Sequence, residues 1–206
     1  MRALTPAVPR PLARLLRHLA FEHGVGIGLY RRACRPGGVE WAALLKRRGT
    51  LRAIGDDCSV LTNVVITDPQ HVVLGNNVRL SGCTLFGHDG AVNMINRAYG
   101  RRLDRVGKIE IGNDVFIGHQ AIVLPGTTIG SKVLIGAGAV VRGTVPDNSV
   151  MVGAPARRVG TLDDLVRRWS AQAEACPWRH LGTGEQAVTP ELARLRAMHF
   201  FGTGAA

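Results

Sequence analysis

Six-residue steps run through the middle of the chain. From Ile111 the sequence reads IGNDVF, IGHQAI, VLPGTT, IGSKVL, IGAGAV and then V. An aliphatic residue recurs at 111, 117, 123, 129, 135 and 141, and Gly follows at 112, 118, 130 and 136. Four residues after most of these aliphatics stands a small or branched side chain, such as Val115, Ala121 or Ala139. A fainter copy lies upstream at Ile54, Val60 and Ile66 and, after a slip of two, at Leu74, Leu80 and Phe86. So short a period suits neither an ordinary helix nor an array of hairpins. It suits a chain wound in flat, three-sided coils, one short strand per hexad, with the aliphatic residue pointing inward.

Three hexads make one coil of about eighteen residues, and successive coils stack through parallel backbone hydrogen bonds. The inward residue is aliphatic because it stacks into a continuous core. Gly at the corner is expected where φ turns positive. Segments 54–71, 74–87, 111–128 and 129–144 give four coils, with a partial fifth near 150–152. Aromatic residues make up only 5% of the chain, which such a core of Val, Ile and Leu tolerates. No apolar run approaches membrane-spanning length. Cys34, Cys58, Cys83 and Cys176 show no CxxC pairing, and the basic N-terminus lacks the uninterrupted apolar core of a signal peptide. Reduced thiols and a cytoplasmic location are the expectation.

The net charge of +11 is unevenly placed. Residues 1–53 carry eleven Lys or Arg against Glu22 and Glu40, a net +9, whereas residues 54–160 carry ten against eight and residues 161–206 five against five. Within the arm, Leu12, Leu15, Leu16 and Leu19 follow helical spacing, with Arg14, Arg17 and His18 on other faces. Such a helix either packs on the protein or lies through residues 1–35 on an anionic membrane face, the inner one for a cytoplasmic protein. No zinc-finger or RNP-like pattern supports a nucleic-acid partner. Residues 39–47 read as a helix with Trp41, Leu44 and Leu45 on one side. Thr161 and Thr189 are N-cap candidates for two C-terminal helices. The organisation expected is therefore a basic helical arm over 1–53, a coil domain over 54–160 and C-terminal helices over 161–206.

Between Phe86 and Ile109 the hexads stop. The insertion, residues 87–108, reads GHDGAVNMINRAYGRRLDRVGK. A coil tolerates an insertion only as an excursion at a corner, and such excursions carry function. His88 is the first side chain on it with acid–base capability, and Gly87 before it leaves approach space. Imidazole has the intrinsic pKa for general-base work near neutral pH, and a rigid corner supplies the support a proton acceptor needs.

The hexads, the excursion opening with Gly-His-Asp and the ending GAPARRVG together resemble the hexapeptide-repeat acyltransferases, over about residues 54–160. The likeness is to the galactoside and maltose O-acetyltransferases and to those that decorate capsule or O-antigen glycans. It implies a mainly β fold, a left-handed parallel β-helix with flanking N- and C-terminal α-helices. It implies a homotrimer with acetyl-CoA, or another acyl-CoA, in a groove between subunits, and a sugar or glycan acceptor. By the same resemblance, His88 is the catalytic base, and transfer is direct, without an acyl-enzyme. His119 takes the position whose backbone meets the oxyanion, although related sequences often carry a small residue there. Ala137 takes the position on which the pantetheine arm lies. Arg142 and Arg157, the latter assisted by Arg158, take those that meet the nucleotide end. Gly143 stands where some relatives have Lys.

On the acceptor side, Asn63 and Asp68 align with polar residues that meet sugar hydroxyls, Asn93 and Tyr99 are further candidates, and Asp89, next to His88, is a candidate either to orient that imidazole or to meet the acceptor. An amino sugar on a nucleotide carrier is the alternative acceptor, and a non-catalytic scaffold the alternative of another class. Carbonic anhydrases with similar hexads bind zinc through three histidines, two of them close in sequence. Here Val123 and Leu124 occupy the places four and five after His119, so no metal is expected.

Overall fold

A computed structural model describes residues 8–181 and 188–202 of the chain. They divide into two compact units, residues 1–162 and 163–206. In the first unit the hexads form a three-sided parallel β-helix. Coil 1 comprises the strands Ala53–Ile54, Ser59–Val60 and Val65–Ile66. Coil 2 comprises Val72–Leu74, Val78–Leu80 and Thr84–Leu85. Coil 3 comprises Ile109–Ile111, Val115–Ile117 and Ile122–Val123. Coil 4 comprises Thr128–Ile129, Val133–Ile135 and Val140–Val141. A partial fifth coil, Thr144–Val145 and Ser149–Val152, ends the stack, and Arg157–Gly160 pairs antiparallel with its second strand. Each strand lies over its counterpart, so Leu74, Ile111, Ile129 and Val145 form one buried column. Leu80, Ile117 and Ile135 form a second, and Leu85, Val123 and Val141 a third.

Two sequence expectations are corrected here. The inward residue that closes coil 2 is Leu85, paired with Val123, and not Phe86. The step from Leu80 is one residue short, and it turns Phe86 outward, where the insertion begins. The corner glycines also serve a different purpose from the one expected. Gly75 and Gly112 do not have positive φ. A Cβ on Gly75 would sit 2.6 Å from the carbonyl oxygen of Gly112, and one on Gly112 would sit 2.8 Å from the carbonyl carbon of Gly130. Glycine is required there because the next coil passes too close for a side chain. The left-handed conformation falls two residues later, at Asp57, Asn77, Asp114, Lys132 and Asn148. A ladder runs down this corner. The Asn76 side chain accepts from the Asp56 N–H, Asn113 from Asn76, Ser131 from Asn113 and Asp147 from Ser131, at 2.7–3.0 Å. Small polar residues after Gly75, Gly112 and Gly130, and Asp147 after Pro146, thus satisfy the backbone donors that the turn frees.

The N-terminal arm is helical: α1 spans Arg10–His18, a π-helical turn Leu19–His23 follows, then α2 spans Ile27–Cys34 and α3 Gly38–Arg47. It shares the coil's core. Leu16, Ala20, Phe21, Tyr30, Trp41, Ala42 and Leu44 are buried with the inward column of coil 1 and beyond, and α3 lies on the first two strands of coil 1. Lys46 pairs with Asp56 at 2.6 Å, fixing α3 to the first corner.

The insertion is not irregular throughout. Ala91–Tyr99 is a helix, α4, closed by Gly100 in the left-handed region. Helix α5 runs from Leu162 to Glu174, all but its first residue in the second unit, and α6 runs from Pro190 to Phe201. The Thr189 hydroxyl accepts from the Leu192 N–H at 3.2 Å, the cap its position predicts. Trp178 is buried against His199 and Phe200. Among the described residues no helix is long and apolar enough to cross a membrane.

Candidate functional site

The excursion leaves the third corner of coil 2 on a short stem. Gly107 N–H donates to Gly87 O at 2.8 Å, Asp89 N–H donates to Arg105 O at 2.9 Å, and His88 faces Val106 across an antiparallel bridge. The stem is clamped onto coil 3: a Cβ on Gly107 would stand 2.3 Å from the Gly126 nitrogen. Above it, the Asp89 side chain accepts from the Ala91 N–H at 3.0 Å and starts α4. Asn96 then holds the returning chain, donating to Leu103 O at 2.9 Å and accepting from Leu103 N–H at 2.7 Å. His88 therefore projects from a fixed stem.

Beneath it lies Asp68, at the same corner of coil 1. Its Oδ2 is 2.6 Å from His88 Nδ1 and also accepts from the Thr67 hydroxyl at 2.8 Å. The Thr67 oxygen in turn accepts from the Gly87 N–H at 3.0 Å. Gly87 is required for this contact, since a Cβ would reach within 2.5 Å of Asp68 Cβ. The hydrogen bond from His88, and then that from Thr67, holds the Asp68 carboxyl below its ordinary value. An ionised carboxylate only accepts, so Nδ1 carries the proton and the Nε2 lone pair is left to take another. The Asp68 side chain is 18% exposed and that of His88 48% exposed, so the acid is sheltered while the imidazole is open to a ligand.

A cleft of about 300 Å³ opens beside the imidazole, lined by Phe86, His88, Asp89, Gly90, Arg105, Leu124, Pro125 and Arg142. Apolar walls with two guanidinium groups suit an anionic or polar ligand with an apolar portion. Arg105 lies 3.8 Å from Asp89. Buried cysteines take no part: burial pushes the Cys83 thiol up to about 12 and raises that of Cys58. Among the described residues, no three His, Cys, Asp or Glu side chains group to hold a metal ion.

The sequence candidates divide between two corners. His88, Asp68, Asp89 and Arg142 meet at the third corner, and Asn93 stands exposed on α4. Asn63, His119 and Ala137 lie at the second corner. There the His119 ring and the Asn63 amide both come within 2.7 Å of where a Cβ on Gly82 would be. His119 O accepts from Gly138 N–H at 2.9 Å, joining coils 3 and 4 at this corner. Arg157 and Arg158 are on the antiparallel strand after coil 5, where Arg158 donates to Asn148 O at 3.2 Å. Tyr99 is exposed at the end of α4.

Sequence reasoning named Asp68 but gave it to the acceptor rather than to His88, and it missed Thr67, Phe86 and Arg105. The signal was in the stacking. Ile66 pairs with Leu85, so Asp68 must lie against Gly87, next to His88.

Residues 108–143 match the family model described as bacterial transferase hexapeptide (six repeats). The three-sided coil is the left-handed parallel β-helix of that repeat. A putative lipopolysaccharide biosynthesis O-acetyl transferase of Escherichia coli is 33% identical over 116 residues, 56% of this chain and 53% of that protein. Protein CapG of Staphylococcus aureus is 39% identical over 114 residues, 53% of this chain and 66% of its own length. The galactoside O-acetyltransferase of Escherichia coli is 32% identical over 112 residues, covering 52% of each. The matches thus span between half and two thirds of these curated relatives' length. A solved hexapeptide-repeat acetyltransferase of Vibrio cholerae, complexed with acetyl coenzyme A, is 21% identical, with a TM-score of 0.48 over 74% of this chain and 86% of that one.

Proposed function

We propose that this chain, whose coil carries the bacterial transferase hexapeptide repeat, is an acyl-CoA-dependent O-acyltransferase. It moves an acetyl group onto a sugar hydroxyl of a bacterial surface glycan or its precursor. The observation that carries the reading is the Asp68–His88 pair at 2.6 Å on the wall of a cleft. Names borne by relatives, an O-acetyl transferase of lipopolysaccharide biosynthesis and a galactoside O-acetyltransferase, support the same chemistry.

Asp68 fixes the imidazole with its proton on Nδ1. Nε2 takes the proton of the acceptor hydroxyl as that oxygen attacks the thioester carbonyl. A C–O bond forms, the tetrahedral oxyanion collapses, the C–S bond breaks, and the proton passes from Nε2 to the leaving thiolate. No acyl-enzyme forms, and His88 is regenerated. Arg142, on the cleft wall, suits a phosphate of the nucleotide end, with Arg157 and Arg158 as further candidates. Ala137, exposed between two glycines, leaves room for a thin pantetheine arm. The assembly is a homotrimer, in which one subunit's second corner faces its neighbour's third. The division of the candidate residues between those corners supports this arrangement. The location is the cytoplasm.

The test is thiol release from acetyl-CoA with a panel of sugars, nucleotide sugars and amines. Release with sugars is expected, and His88→Ala is expected to lower it about 10²- to 10⁴-fold, the usual range for a general base, in a protein that still unfolds cooperatively. Turnover by His88→Ala equal to wild type would sink the mechanism. No release across the panel, with no rise in melting temperature on adding CoA, would favour a scaffold, and release with amines alone would favour N-acylation.

A further inference from the structure

The proposed chemistry leaves the charge of the N-terminal arm unused. Residues 1–53 hold eleven Lys or Arg against two acids. Both acids are already engaged, Glu40 by Arg17 at 2.6 Å and Glu22 by Arg47. Arg10, Arg14, Arg31, Arg32 and Arg35 are exposed on α1, α2 and the residue after them. None of these five makes an ion pair among the described residues.

The same helices expose apolar side chains. In α1, Leu16 faces the core, while Leu12 and Leu15 are 43% and 52% exposed. The spacing of 12, 15 and 19 puts these leucines on one flank, and that of 10, 14 and 17 puts arginines on another. Val25 and Leu29, in the segment that packs back on α1, are each 58% exposed. A surface that joins exposed leucines to unpaired arginines can meet three kinds of partner. Nucleic acid would use the arginines and leave the leucines wet. A second copy would bring one net +9 arm against another. A bilayer with anionic headgroups uses both features, since it neutralises the arginines and covers the leucines.

We infer that residues 10–35 dock on the surface of an anionic phospholipid bilayer, with Leu12 and Leu15 at the acyl boundary and the arginines among the headgroups. The position of the arm gives docking a consequence. α3 lies on coil 1, coil 1 supplies Asp68, and coils stack about 5 Å apart, so His88, which bonds Asp68 from the last corner of coil 2, stands one coil from the arm. A docked arm keeps the cleft beside the leaflet, where a lipid-linked acceptor would be presented. That consequence rests on the proposed acyl transfer; the docking does not.

The experiment is co-sedimentation of the full chain with two vesicle types, phosphatidylcholine alone and phosphatidylcholine with about 30 mol% phosphatidylglycerol. Binding to the anionic vesicles is expected, with little to the neutral ones and loss at about 0.5 M salt. Leu12→Glu/Leu15→Glu should weaken binding at least about tenfold. Arg10→Glu and Arg14→Glu should each weaken it at least about fivefold, the worth of one basic residue at such a surface. All these variants should keep the melting temperature and the thiol release seen with a soluble acceptor. Equal sedimentation with both vesicle types overturns the inference, as does full binding by the double leucine variant. Two further outcomes overturn it: binding to nucleic acid but not to vesicles, and no vesicle binding together with a leucine variant that changes the oligomeric state. Vesicle binding without thiol release would leave docking standing and remove the acyl-transfer reading.

Discussion

Asp68 decides which nitrogen of His88 can act as a base. As a carboxylate it can only accept, so it holds the proton on Nδ1. Asparagine at 68 can donate its amide to Nδ1 instead, which would move the ring proton to Nε2 and block the lone pair. Asp68→Asn is therefore expected to lower kcat about 10²-fold or more with KM for acetyl-CoA little changed; a rise in KM with kcat unchanged would assign Asp68 to binding. The same pair predicts a pH effect. Hydrogen bonds from His88 and then Thr67 depress the carboxyl's folded pKa. Its contribution to stability is thus present above the unfolded carboxylate value and is lost as pH falls through the folded one. Melting temperatures of wild type and Asp68→Asn should differ at neutral pH and converge in acid, whereas a gap that widens in acid would contradict the ionised pair. His88 was legible because it stands where the repeat stops. Its partner was not, because the pairing depends on coil register across 20 residues. Proximity in sequence pointed to Asp89, but on the stem adjacent side chains diverge, and Asp89 caps α4 instead.

The hexad is readable at the scale of the coil because its inward position admits only aliphatic side chains. Ile117 and Ile135 lie one over the other, and a polar residue in that column would be buried without a partner. The corners were less readable, since glycine can signal either positive φ or close approach. Substitution separates the two. Gly112→Ala puts a methyl 2.7 Å from Ser131 Oγ and 2.8 Å from the Gly130 carbonyl carbon, so the coils must part. About 1–3 kcal/mol of stability should be lost in denaturant unfolding. Gly138→Ala meets nothing within 4 Å but forces a φ of 70° on alanine, a cost of about 1 kcal/mol. A Gly112→Ala protein as stable as wild type would mean that the stack is looser than its ladder of side-chain acceptors implies. The helix α4 was not foreseen for a related reason. Ala91, Met94, Ile95 and Ala98 do follow helical spacing, but none of its nine residues is buried, so the period marks no core-facing side. The Asp89 cap, Gly100 and the Asn96 clamp on Leu103 define it locally.

For the molecule as a whole, the corners matter more than the coils. The resemblance drew its site residues from one family pattern, but the fold deals them to two corners of a triangular prism. Asp68, His88 and Arg142 are on the third, and Asn63, His119 and Ala137 on the second. A ring of three copies reunites them if the second corner of each subunit meets the third corner of the next, because a heterologous contact closes after three turns of 120°. Subunit mixing tests this directly. His88→Ala removes the base, and Ala137→Trp fills the place proposed for the pantetheine arm. Each homotrimer should be inactive. In trimers formed by co-expressing equal amounts, a site is intact when its third corner comes from the Ala137→Trp chain and its second from the His88→Ala chain. Random assembly makes this combination at about one site in four, so about a quarter of wild-type thiol release should return. If both corners acted within one chain, every site would carry one lesion, and mixing would restore nothing. An Ala137→Trp protein fully active alone would remove the second corner from the site altogether.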